Sequence, residues 1–271
     1  METKAKRITY VASECQPFFA SGGLGDVVGS LPKRIVKQSK GEYEISVILP
    51  LYSLKMNPKY FNKLVYLGQT TVKLSWRNQY CGIYKYAESG VTYYFIDNEY
   101  YFKRTNFYGY FDDGERFAYF SKAAIEVMIY LNEIPDILHC HDWQAALTAI
   151  YLKTYYCKKP EYQFIRSLFT IHNIEYQGKY SLDILEDLFG IDKQYEYLLE
   201  LENIKNWNYK KYYKLEQEGI ILPPLVICTN RRIVNYCKNL EIIKIKLNLS
   251  DIDKWLKDFK LGTRDVGYKV N

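Results

Sequence analysis

Residues 21–32 read SGGLGDVVGSLP, a glycine-rich turn set between a strand-like run and a helix-like run. Upstream, residues 7–13 (RITYVAS) are apolar and β-branched; downstream, residues 24–36 repeat apolar side chains at helical spacing. Strand, loop and helix in that order is the unit from which parallel α/β sheets are wound, and the loop is where such sheets hold anions. Ser21, Gly22, Gly23, Gly25 and Asp26 are the candidate phosphate-binding residues. The glycines permit positive φ and close backbone approach, and a helix start offers unpaired N–H groups at the positive end of its dipole. The spacing is not G-x-G-x-x-G, and no Lys-Ser/Thr follows as in a P-loop, so a plain strand-to-helix turn stays open on the glycines alone.

The surrounding composition is that of a globular protein. A chain of 271 residues can bury a sizeable core as one large or two modest domains. The formal charge of +6 comes from Lys and Arg interleaved with Glu and Asp, so no nucleic-acid partner is implied. The first seven residues are polar and no run is long enough to span a bilayer; the expectation is a cytoplasmic protein with no membrane partner. Six cysteines (Cys15, Cys81, Cys140, Cys157, Cys228 and Cys237) form no CxxC pair and no regular framework, which predicts reduced thiols. The 29 tyrosines, many beside Lys and Asn, are read as a mark of AT-rich coding rather than of a carbohydrate-stacking surface.

Working outward, residues 44–50 (EISVILP) predict a second buried strand joined by a right-handed crossover. Between residues 66 and 97, three alternating runs separated by Asn and Gly turns predict an inserted antiparallel meander carried on loops. Helix 115–131, strand 136–140, helix 144–156 and strand 164–171 then resume the parallel pattern. The fold class expected is α/β, a Rossmann-like doubly wound parallel sheet with an inserted antiparallel β meander.

Ligands of such sheets bind beyond the carboxyl ends of the strands. The chain has only three histidines, His139, His141 and His172, and each falls at such an end. If the strand is still extended, His139 and His141 are expected to point to opposite sides, and Asp142 to cap the helix that begins near Gln144. In a purely structural reading Asp142 is only a cap and His139 a satisfied core residue. In the segment THNIEYQG, His172 reads as a donor to a sugar hydroxyl or a developing charge, with Asn173 and Gln177 as polar partners; the plain alternative is a hydrogen-bonded loop. No His-x-x-x-His helix or carboxylate cluster has ligand spacing, so no metal and no cofactor are expected.

Four segments carry a resemblance: ASECQPFFASGGLGDVVGSLPKRI (12–35), YFDDGERFAYFSKAA (110–124), PDILHCHDWQAALTAIYLK (135–153) and FTIHNIEYQGKY (169–180). In order and spacing they resemble the N-terminal domain of bacterial glycogen synthases and plant starch synthases, over roughly residues 7–200. The resemblance implies one half of a GT-B glycosyltransferase, of the family 5 type, whose two Rossmann-like domains face a cleft. It implies transfer of glucose from ADP-glucose to the non-reducing end of an α-1,4-glucan such as glycogen, with retention and without a metal. It further implies that the loop Ser21, Gly22, Gly23, Gly25 and Asp26 approaches the donor, that Asp142 and His172 are catalytic beside the transferred glucose, and that His139, Trp143, Asn173 and Gln177 border the acceptor sugar.

Two departures bear on that expectation. Many members carry a lysine two residues before the glycine pair, where this chain has Ala20, and the neighbouring Phe18 and Phe19 supply no cation. The family's second domain, with its adenosine pocket, phosphate-binding Arg-Lys pair and catalytic glutamate, has no counterpart after about residue 219. The expected division is an acceptor-side domain over 1–219 and a divergent tail over 220–271, by truncation, by frameshift or as a true short paralogue. The alternative function is a catalytically incomplete glucan-binding fragment, and the isolated chain is expected to be nearly inactive.

Overall fold

The computed structural model describes residues 5–173, 176, 178, 180, 181 and 183–194, and the backbone of residues 225–228. Its elements run β1 (Lys6–Val11), α1 (Gly23–Ser39), β2 (Tyr43–Pro50), α2 (Pro58–Phe61), β3 (Val65–Leu74), β4 (Arg77–Glu88), β5 (Val91–Asp97), α3 (Glu99–Phe102), α4 (Asp113–Leu131), β6 (Ile137–His141), α5 (Trp143–Thr154), β7 (Arg166–Ile171), α6 (Ile184–Asp187) and β8 (Leu225–Cys228). The strands form one sheet in the order β3-β4-β5-β2-β1-β6-β7-β8. From β5 to β8 every neighbouring pair is parallel, while β3, β4 and β5 pair antiparallel. The α/β, doubly wound reading of the sequence is the observed fold.

The meander sits differently from the expectation. It is no loop insertion: β5 is an integral parallel neighbour of β2, in register from Ile45–Val91 to Pro50–Ile96, and β4 and β3 extend the same sheet outward. Alternation in the run VTYYFID disguised this, because a strand covered on both faces is expected to be continuously apolar, and β5 reaches burial through Tyr93 and Tyr94 as well as Phe95 and Ile96. At the opposite edge, β8 pairs with β7 from Leu168–Leu225 to Ile171–Cys228, so the sheet includes four residues of the stretch read as a tail.

The central strands are made for burial. β1 and β2 place Val11, Val47 and Leu49 fully out of solvent, as sheets with helices on both faces require. Between β1 and α1 the chain turns Phe18 and Phe19 inward. Phe18 meets Tyr60, Tyr86, Tyr93 and Phe95 edge-on at ring-centroid distances of 4.8–5.6 Å, a favoured aromatic geometry. Both phenylalanines are core side chains. At the start of α4, Arg116 is fully buried, donates to Asp113 at 3.0 Å, and lies against the rings of Tyr110, Phe102 and Phe117. Asp113 also accepts from the Gly109 amide at 2.7 Å, which pins the loop before α4 against the carboxyl ends of the strands.

Candidate functional site

The glycine loop follows β1 and opens α1. Gly22 stands at the N-cap position with φ −168°, extended backbone that any residue adopts, and none of Gly22, Gly23 and Gly25 has positive φ. Space, not backbone freedom, is what these glycines supply. A Cβ on Gly22 or Gly23 would meet nothing within 4 Å, so their backbone is open to an approaching ligand. A Cβ on Gly25 would lie 2.3 Å from that of Ala20, so this glycine lets the helix start pack on its own loop. Ser21, Gly22, Gly23 and Asp26 are exposed, and Asp26 sits in the first turn of α1, where a carboxylate suits the helix dipole.

Glu14 was not singled out from sequence, yet it organises this loop. It is buried, and its carboxylate accepts the backbone N–H of Ser21, the Ser21 hydroxyl at 2.8 Å and the Tyr108 hydroxyl at 2.5 Å. Tyr108 also hydrogen-bonds Ser13 at 2.8 Å. One carboxylate thus ties the loop after β1 to the loop before α4, and it takes up the Ser21 amide that an anionic ligand was expected to claim. An acid immediately after an apolar strand, at the carboxyl end of the sheet, was the signal available.

Asp142 links β6 to α5 with φ 58° and ψ 177°. That region belongs essentially to glycine, and holding another residue there costs on the order of 1–3 kcal/mol. The surroundings impose it: the Asp142 amide donates to the Thr170 carbonyl at 2.8 Å, continuing the β6–β7 ladder one residue past the strand. Asp142 occupies the N-cap position of α5 but makes no side-chain capping bond, contrary to the expectation. Its carboxyl instead faces the backbone amides of His172, Trp143 and Asn173. Burial pushes its pKa up from 3.8 to about 7 against the pull of those amides, and the charge of Glu14 adds to the rise.

The histidines form a stack beneath Asp142. His139 and His141 do not diverge: their ring centroids are 4.1 Å apart, because residues two apart along a strand share a face. Tyr10 packs against both at 4.9 and 5.5 Å, and His141 stacks on His172 at 5.2 Å. His139 Nε2 and the Thr170 hydroxyl are hydrogen-bonded at 2.7 Å, and His141 Nδ1 and His172 Nε2 at 2.9 Å. Burial pulls the pKa of His139 down to about 3 and that of His172 to about 4, and that of His141 lies well below its ordinary value through burial and the two neighbouring rings. His139, 4% exposed and bonded to Thr170, sits in the core beneath the site, so the direct sugar contact expected of it gives way to a supporting position.

His172 and Asn173 follow β7 at the same sheet end as Asp142. Trp143 is half-buried and packs edge-on against Phe117 at 5.0 Å, near Tyr180 and against Gly178, where a Cβ would lie 2.3 Å from the indole. It walls the site more than it projects from it. Gln177 lies outside the described residues. Among the described residues no group of three or more His, Cys, Asp or Glu could hold a metal ion, and no helix is long and apolar enough to cross a membrane. The fold thus gathers a glycine loop, the carboxyl groups of Glu14 and Asp142 and a neutral histidine stack at the carboxyl ends of the parallel strands, an arrangement fit to hold an anion beside a polyhydroxylated ligand.

Comparison with known proteins gives the arrangement relatives. The family model described as the starch synthase catalytic domain matches residues 7–220. A glycogen synthase of Halalkalibacterium halodurans is 44% identical over 200 residues, covering 74% of this chain and 40% of that protein. One of Streptococcus pneumoniae is 46% identical over 203 residues, covering 74% and 42%. Among solved structures, the catalytic domain of starch synthase IV from Arabidopsis thaliana, bound to ADP and acarbose, superposes with a TM-score of 0.64 at 34% identity, covering 70% of this chain and 38% of that one. The chain spans about two fifths of the length of the curated relatives it matches.

Proposed function

From the premise that this chain belongs to the starch synthase catalytic domain family, we propose that it forms the acceptor-side half of an α-glucan glucosyltransferase. The reaction is transfer of glucose from ADP-glucose to the non-reducing end of an α-1,4-glucan, with retention. The observation that carries the reading is the meeting of Asp142 and His172 at adjoining strand ends, beside β1, the strand that leads into the glycine loop. A polyhydroxylated ring and a diphosphate are the chemistry these groups suit: open backbone at Gly22 and Gly23 for the anion, and hydrogen-bonding side chains at Asp142, His172 and Asn173 for hydroxyls. The starch synthase IV neighbour was bound to ADP and acarbose, a nucleotide diphosphate and a sugar-like ligand, which supports the same class here.

In this reading the Asp142 carboxyl, poised near pH 7, responds to the reacting sugar. As the bond from the anomeric carbon to the diphosphate oxygen breaks, the carbon gains positive charge, which Asp142 stabilises in the fraction of molecules whose carboxyl is already ionised before the step. The acceptor hydroxyl forms the new bond on the same face and its proton leaves with the diphosphate, so no protein nucleophile is needed. The neutral His172 donates a hydrogen bond to a hydroxyl of the transferred glucose. Asp26 and Ser21 line the donor entrance, and His139 and Trp143 support the acceptor wall.

The test is incubation of the purified chain with radiolabelled ADP-glucose and glycogen, with label counted in precipitated glucan, alongside Asp142→Ala. Incorporation that the substitution abolishes supports catalysis by these 271 residues. No incorporation, with the protein still co-sedimenting with glycogen, supports the glucan-binding alternative. The absence of both incorporation and co-sedimentation overturns the proposal, and incorporation that survives Asp142→Ala overturns the role given to Asp142.

A further inference from the structure

His141 has no place in the reading above: it is fully enclosed and touches no ligand space. It nevertheless bridges the buried stack to the His172 ring, through the 2.9 Å contact of its Nδ1 with His172 Nε2. Its other ring nitrogen, Nε2, is buried with no hydrogen-bond partner among the described residues. That orphan nitrogen makes the direction of the bridge decidable.

At neutral pH both rings are uncharged, since burial depresses both. A neutral imidazole carries one proton, so a single proton lies between the two rings. If His172 Nε2–H were the donor, the His141 proton would sit on Nε2, leaving a buried N–H with no acceptor. If His141 Nδ1–H is the donor, the unmet atom is only a lone pair. Orphaned buried N–H groups are the rarer and costlier of the two. Since the bridge consumes His172 Nε2 as an acceptor, the proton of His172 must then sit on Nδ1.

We propose that His141 is a positioning residue that donates from Nδ1 to His172 Nε2 and so locks His172 in the Nδ1–H form, making its Nδ1 a hydrogen-bond donor at the sheet's carboxyl end. The stack beneath enforces this. Tyr10 and His139 pack on the His141 ring and hold its plane, and Thr170 occupies His139 Nε2, so that neither ring of the strand is free to turn. The inference deepens the reading of His172 as a donor to a sugar hydroxyl and rests on it for its purpose, but the tautomer is measured without turnover, so either can fail alone.

The experiment is long-range ¹H–¹⁵N correlation NMR of the ¹⁵N-histidine-labelled 271-residue chain at pH 7, which reports the protonation of each ring nitrogen. With three histidines in the chain, single His→Gln variants assign every signal. Expected are a bare Nε2 and a protonated Nδ1 on both His141 and His172. In His141→Phe, which keeps an aromatic ring but removes the donor, His172 moves toward the Nε2–H form that free histidine favours. In His141→Asn, whose amide stands where Nδ1 stood, the Nδ1–H form returns. A wild-type His172 protonated on Nε2, or averaged between the two nitrogens, overturns the proposal whatever the variants do. So does a His141→Phe protein, folded by its amide spectrum, in which His172 keeps the Nδ1 proton.

Discussion

Replacing Asp142 with Asn isolates the electrostatic strain at the centre of the site. The carboxyl titrates at 3.8 when unperturbed and at about 7 in the fold, chiefly because it is buried. Between those values the unfolded chain has released a proton that the native state retains, so the group's contribution to stability is fully present below about pH 4 and is lost as the pH rises through 7. Three pH units correspond to about 4 kcal/mol at pH 8, and the one unit already traversed at pH 5 to about 1.5 kcal/mol. Asn keeps an oxygen to accept the amides of His172, Trp143 and Asn173 but never ionises. The variant is therefore expected to gain on the wild type by about 2.5 kcal/mol more at pH 8 than at pH 5. In urea unfolding, with a slope of about 2 kcal/mol per molar, this widens the difference in midpoints by roughly 1 M. The buried histidines work the other way, losing stability as the pH falls, because their folded pKa values are depressed. They are common to both proteins and cancel in the difference. A midpoint difference equal at the two pH values refutes the argument from burial.

Asp142→Gly relieves a backbone strain of about 1–3 kcal/mol but strips the amides of His172, Trp143 and Asn173 of their acceptor, so in the same urea series it is expected to be no more stable than the Asn variant at either pH. In the glycine loop, Gly25→Ala forces a Cβ against Ala20 and is expected to cost about 1–3 kcal/mol, whereas Gly23→Ala, in open space at a helix start, leaves stability unchanged or raises it by up to the ~1 kcal/mol that alanine gains over glycine in a helix. Calorimetry on the pair separates the packing glycine from the one that clears room for a ligand. Glu14→Gln removes the charge that helps raise Asp142, so the pH at which the Asp142 contribution disappears moves down, read from the same urea series.

The order of strands and helices was legible because apolar runs and their periods report which faces are covered, and the glycine turn between β1 and α1 reports where the chain reverses at the sheet's end. Because a parallel sheet brings all its carboxyl ends to one edge, the sequence also located Asp142, His172 and the loop on a common side before any packing was known. What it did not carry were distances and burial. That β5 joins the main sheet depends on pairing with β2, a partner 46 residues away in the register Ile45–Val91. That His139 is core while His172 borders the site depends on how Thr170 and Tyr10 cover one and not the other. Glu14 became part of the site only through contacts with Ser21 and with Tyr108, 94 positions along the chain. Most of all, the proton on Asp142 is a property of its surroundings: residue type and spacing choose where a carboxyl stands, but the loss of water around it, and with that the energy of its charge, exists only once the chain has closed over it.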